Sequence, residues 1–294
     1  MFNLCDNELI KFTFVSFVTA KMSLSEYSCE KSKHTYTQPQ LMALTCLMKR
    51  LRIDYRLFIS IIQLMPEIQL VLDLKDIPHY TTLQKFFKRI KSEVIDEIMD
   101  LTVTQFDIKN PWVVLDGTGH SCDQASLYYT DKIKKQSKKW RKSYTKNQIA
   151  IDTENQVILT HRVAKGPRHD SKDAIALIRK TKKYKPVGFS LDKAYDYEKI
   201  HKVINEELNA TSMIPRKKGA KNGKYRLAME SLFSKPKYHQ RSIVKTVISV
   251  IKRVFGDKNQ SRNDKLRNKE TKLKNLCYDI YRYTKKTFNV KIQT

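Results

Sequence analysis

Apolar residues along this chain change their period near residue 110. Ahead of that point they recur at helical spacing, from Pro39 through Leu41, Leu44, Leu47, Met48 and Leu51, and again over 55–64, 67–74 and 83–90. Steps of three and four put such residues on one face of a helix. Pro39 suits a first helical turn, with Gln38 just ahead of it, and Pro66 and Pro78 separate the later runs. The pattern predicts a small helical domain over 38–105. Residues 1–37 show no sustained period and end in a polar run over 25–38, which predicts a loosely ordered extension.

From Pro111 the apolar runs shorten and are broken by turn residues. Residues 112–115 read as a buried strand ending at Asp116, and 126–130 as a second strand after a turn at Gly117 and Gly119. Residues 149–152 and 156–163 read as a hairpin; 171–182 as a helix that Asp170 caps; 187–191 as a strand ending at Asp192; 195–208 as a helix; and 212–215 as a short strand. Strands first, then helix and strand in alternation, then a long helix is the element order of a ribonuclease H-like α/β fold. The expected organisation is therefore an extension over 1–37, a helical domain over 38–105 and a ribonuclease H-like domain with C-terminal helices over 106–294.

Charge sharpens this division. The chain has 57 Lys and Arg against 30 Asp and Glu, a formal +27. Residues 1–110 hold 14 basic and 13 acidic side chains, so the remaining 43 and 17 leave +26 on 111–294. An excess of that size in one segment predicts a polyanionic partner, most simply nucleic acid. Its densest stretch, 132–142, includes Lys134, Lys135, Lys138, Lys139 and Arg141 around Trp140. The five cysteines lack the close pairing of zinc or redox motifs, and no Gly-rich nucleotide loop is present. The early apolar stretch 12–20 is too short to cross a bilayer, and Asp6 and Glu8 ahead of it argue against a signal peptide. These features predict a cytoplasmic, nucleoid-associated protein with no membrane partner.

Two features carry chemistry. Asp116 and Asp192 each follow an apolar strand, and ligands of open α/β sheets collect beyond the carboxyl ends of the strands. Read as one helix, 238–253 places Lys252, Lys245 and Tyr238 within about 60° of Arg241 at 100° per residue, while Val244, Val247 and Ile251 fall elsewhere. The spacing Tyr238, Arg241, position 245, Lys252 resembles the Tyr-Arg-Glu-Lys signature of DDE transposases of bacterial and archaeal insertion sequences. Leu115-Asp116-Gly-Thr-Gly and Leu191-Asp192-Lys-Ala-Tyr-Asp196 look like that family's first and second aspartate motifs. At position 245, where the family has a glutamate, this chain has lysine.

The resemblance implies a magnesium- or manganese-dependent enzyme of DNA transposition and recombination, which cuts double-stranded DNA at element ends and joins the freed 3′-hydroxyl to a target. It implies a two-metal site held by Asp116 and Asp192, with DNA contacted by Tyr238, Arg241 and Lys252, and a homo-oligomer on DNA. Two such ions need clustered carboxylates. Lys245 supplies an ammonium instead, a change of two charge units that opposes a divalent ion. The alternative is a reused or catalytically decayed copy that acts only as a DNA-binding protein.

Overall fold

The structure, a computed structural model, describes residues 7–122 and 144–289. Contacts divide the chain into two units. The first takes Met1–Phe106, Val254–Gly256 and Lys272–Thr294; the second takes Asp107–Arg253 and Asp257–Thr271.

The first unit contains α1 (Glu8–Ser23), α2 (Gln38–Leu51), α3 (Tyr55–Gln63), α4 (Pro66–Val71), α5 (Tyr80–Arg89) and α6 (Ser92–Thr104). Thr37 caps α2: its side chain accepts from the Gln40 N–H, and the Gln40 side chain accepts from the Thr37 N–H. The helix α1 lies within residues 1–37, where the sequence shows no sustained period. Its buried positions include Ile10, Phe12, Val15, Phe17 and Ala20 as well as Thr13, Ser16 and Thr19, so burial runs around most of its circumference. A helix buried on most sides has no amphipathic period to read. The three hydroxyls are accommodated because each donates to the carbonyl four residues earlier, at 2.7–2.8 Å.

The second unit is a mixed α/β layer structure. Its strands are β1 (Trp112–Cys122), β2 (Thr145–Asp152), β3 (Ile158–Lys165), β4 (Gly188–Ser190), β5 (Thr211–Met213) and β6 (Lys258–Asn259). They form one sheet in the order β3-β2-β1-β4-β5, with β6 on the far part of β1. Strands β1, β2 and β3 are antiparallel neighbours, whereas β4 runs parallel to β1 and β5 parallel to β4. The chain passes from β3 to β4 through α7 (Ser171–Lys180) and from β4 to β5 through α8 (Glu198–Lys202). After β5 come α9 (Lys224–Leu232), α10 (Lys235–His239), α11 (Ser242–Phe255) and α12 (Asp264–Asn289), of which the end of α11 from Val254 and α12 from Lys272 onward belong to the first unit.

One detail differs from the sequence expectation. Gly117 and Gly119 do not turn the chain; they lie inside an eleven-residue β1. A Cβ on Gly117 would come within 2.7 Å of Asp170 Oδ1, and one on Gly119 within 2.9 Å of the Tyr144 ring. Both glycines make room for side chains lying across the strand. The expected strand over 126–130 falls outside the described residues.

Candidate active site

Strand pairing sets the two aspartates side by side. Val114 pairs with Ser190 in the parallel β1–β4 register, and Asp116 and Asp192 each stand two residues beyond that pair. Asp192 follows the end of β4, as expected. Asp116 does not end its strand, because β1 continues past β4 and pairs Asp116 with Ile149 of β2. It stands where β1 loses its β4 neighbour, at the carboxyl edge of the parallel part of the sheet.

The Asp116 carboxylate accepts from the Gly117 N–H at 2.8 Å. Burial pushes this carboxyl above its ordinary value and the charge of Asp170 adds to the rise, against the Gly117 N–H, Arg241 and Lys245. Asp192 accepts from the Lys193 N–H at 2.6 Å and opens the short 3-10 turn Lys193–Tyr195. Tyr195 at the end of that turn is buried. Its hydroxyl accepts from Gln148 Nε2 at 2.8 Å, and Gln148 also donates to the Asp170 carbonyl at 2.9 Å. Burial drives the Tyr195 hydroxyl far above the usual phenol range, and the negative charges of Asp170, Asp116 and Asp192 push it further. Three carboxylates therefore act on one buried phenol.

Sequence reasoning missed Asp170 as part of this group and assigned it as a helix cap. Its side chain makes no cap hydrogen bond to α7 and instead meets Lys146 Nζ at 2.5 Å. The absence of a Cβ at Gly117 was the available signal, since it lets Lys146 and Asp170 close over β1. Asp196 was also passed over. It is buried, takes the Arg226 guanidinium on both oxygens at 2.7–2.8 Å, and accepts from the Lys217 N–H at 2.7 Å.

The Tyr238–Lys252 segment is not one helix. Tyr238 belongs to α10, Arg241 lies in a turn, and α11 begins at Ser242. The Ser242 hydroxyl donates to the His239 carbonyl at 2.9 Å, while the Arg241 and Ile243 N–H groups reach back only three residues. A side chain competing for backbone acceptors in this way interrupts a helix. Arg241 is nonetheless drawn to the acids: its Nη1 donates to Asp192 Oδ2 at 2.8 Å, and its guanidinium carbon lies 5.6 Å from the centroid of the Tyr238 ring. Lys245, on the first turn of α11, is exposed, and its charge acts on Asp116. Lys252 pairs with Asp257 at 3.0 Å. Lys134, Lys135, Lys138, Lys139 and Arg141 lie outside the described residues. His120, four residues after Asp116, turns its Nδ1 to the Asp257 carbonyl at 3.0 Å.

The mixed α/β sheet thus sets Asp116 and Asp192 at matching register, with Arg241 paired to Asp192 and lying beside the Tyr238 ring. The family described as transposase DDE domain matches residues 109–280, more than half of the chain, and the chain belongs to that family. No curated protein matches it. No helix among the described residues is long and apolar enough to cross a membrane.

Transposases of this family generally use divalent metal ions. The desolvated Asp116 carboxyl suits a cation, but the donor set around it does not complete a centre for two hard ions. Asp192 is already paired with Arg241, Asp170 with Lys146, and Lys245 places a further positive charge on Asp116. Among the described residues, no group of three His, Cys, Asp or Glu side chains stands where it would hold a metal ion.

Proposed function

We propose that this chain is an insertion-sequence transposase of the Tyr-Arg-Glu-Lys subgroup, with a ribonuclease H-like catalytic fold over 106–294, a helical domain over 38–105 and lysine in the glutamate position. The observation that carries this reading is the equivalent placement of Asp116 and Asp192, each two residues beyond the Val114–Ser190 pair of the parallel strands β1 and β4. Its substrate is double-stranded DNA at element ends and at the target, bound by a homo-oligomer. Asp116 and Asp192 supply two of the three acids of the reaction centre. Arg241, with Tyr238 beside it, and Lys252 neutralise phosphates close to the bond that is cut, and the basic segment carrying Lys134, Lys135, Lys138, Lys139 and Arg141 holds DNA further away. With Lys245 in place of the third acid, the chain as written binds DNA ends and cuts them slowly, with Mg²⁺ or Mn²⁺.

A second reading, a DNA-binding protein without cleavage, is favoured by the internal neutralisation of the acids through Arg241, Lys146 and Lys245. Gel shift and cleavage on the same DNA separate the two. Duplexes ending in the sequences that flank the gene should be bound in preference to scrambled duplexes of equal length. Slow cleavage at the element boundary supports the first reading, and binding without cleavage the second. Equal affinity for scrambled ends would overturn both.

A further inference from the structure

The segment 216–226, which ends the β5–α9 loop and opens α9, has a composition found nowhere else in the described part of the sheet unit. Residues 216–226 read Arg-Lys-Lys-Gly-Ala-Lys-Asn-Gly-Lys-Tyr-Arg, with six basic side chains in eleven positions and no acid. Gly219 and Gly223 hold positive φ, +81° and +117°, values that a glycine adopts without the clash a Cβ would bring.

The loop is tied down close to Asp192. Four residues after Asp192, Asp196 accepts from the Lys217 N–H at 2.7 Å and from the Arg226 guanidinium at 2.7–2.8 Å. Glu198 accepts from the Tyr225 and Arg226 N–H groups at 3.0 and 3.1 Å. Arg226 is consumed by this fastening, and Arg216 pairs with Glu230 at 2.7 Å. Among the described residues, no acidic side chain pairs with Lys217, Lys218, Lys221 or Lys224. The Lys217 ammonium sits 3.9 Å from the centroid of the Tyr197 ring and donates to the Ala194 carbonyl at 3.4 Å, neutral contacts that leave its charge uncompensated.

Topology decides where these lysines act. Strands β4 and β5 are parallel, so the loop leaves the sheet at the same carboxyl end from which Asp192 projects. A second lysine group, Lys180, Lys182, Lys183 and Lys185, precedes β4 and therefore stands at the amino end of that strand. Equal charge is thus present at both ends, but only one end carries the aspartates.

We propose that loop 216–226 is a phosphate clamp: Lys217, Lys218, Lys221 and Lys224 bind the sugar–phosphate backbone of duplex DNA beside the acidic centre. The clamp deepens, and rests on, the reading of the chain as a transposase acting on DNA. Each phosphate neutralised releases condensed counterions, so the slope of log K against log salt changes by about 0.9 per contact.

The test is the salt dependence of binding to an element-end duplex by the full chain, without divalent ions. Replacing the four lysines by glutamine should make the slope shallower by about 3.6 and change the melting curve little, because these side chains have no acidic partner to lose. The matched variant, with Lys180, Lys182, Lys183 and Lys185 replaced by glutamine, removes the same charge and should change the slope by less than about 1. An unchanged slope in the loop variant, or equal changes in both variants, overturns the clamp while leaving the DNA reading intact. A wild-type chain that does not bind DNA at all overturns the reading beneath it.

Discussion

Burial raises the Asp116 carboxyl even against the Gly117 N–H, Arg241 and Lys245, and that has a consequence for stability. A carboxyl whose folded pKa exceeds its unfolded value binds its proton more tightly in the folded state, so its ionised form weakens the fold above the raised pKa. The penalty fades as pH falls toward the unfolded value. Asp116→Asn should therefore melt higher than wild type at about pH 8, with the gap closing by about pH 4. A gap that does not vary with pH would contradict a burial-driven shift. Asp196 behaves in the opposite sense. Burial would raise it, but the Arg226 guanidinium, the Lys217 N–H and His201 outweigh burial and hold it below its ordinary value. Removing one partner of a buried ion pair leaves the other charge uncompensated. Arg226→Met should therefore cost about 3–5 kcal/mol in urea unfolding, and a loss below about 1 kcal/mol would assign the pair no structural role.

The elements show where sequence patterning succeeds and where it fails. The helices α2 and α5 and the strands β3, β4 and β5 were legible because an apolar period or a short apolar run is bounded by proline, glycine or a capping residue. The helix α1 was not, because Thr13, Ser16 and Thr19 hide their hydroxyls in its own backbone and erase the polar face. Phe12 is fully buried in it, so Phe12→Ala should cost about 3–5 kcal/mol in urea unfolding; a negligible loss would show that α1 is dispensable. Strand β1 was read too short because Gly-Thr-Gly looks like a turn in one dimension, whereas its glycines admit Asp170, Lys146 and Tyr144 across the sheet. Gly117→Ala should separate Lys146 from Asp170 and lower stability by about 1–3 kcal/mol. The acids at 116 and 192 were visible because each follows an apolar run; Asp170 was not, because its role depends on a neighbour 24 positions earlier in sequence, Lys146.

At the scale of the whole molecule, charge is the property the sequence displays most openly. Residues 111–294 carry +26 and residues 1–110 only +1, and the family match falls within the basic part. Charge alone says nothing of cutting, which under the proposed function rests on Asp116, Asp192 and the residue at position 245. There the chain sets a cation where the proposed Tyr-Arg-Glu-Lys assignment calls for a carboxylate, while Arg241 already holds Asp192 at 2.8 Å. The central claim is that Lys245 limits cleavage without preventing DNA binding. Its most direct measurement compares cleavage of an element-end duplex in Mg²⁺ or Mn²⁺ by the wild-type chain, by Lys245→Glu, and by Lys245→Glu combined with Asp116→Asn, each first shown to bind the DNA. The account predicts poor cleavage by wild type, an increase of at least about tenfold in Lys245→Glu, and loss of that gain in the double variant. Robust cleavage by the unmodified chain, or no gain in a Lys245→Glu variant that still binds DNA, would contradict it.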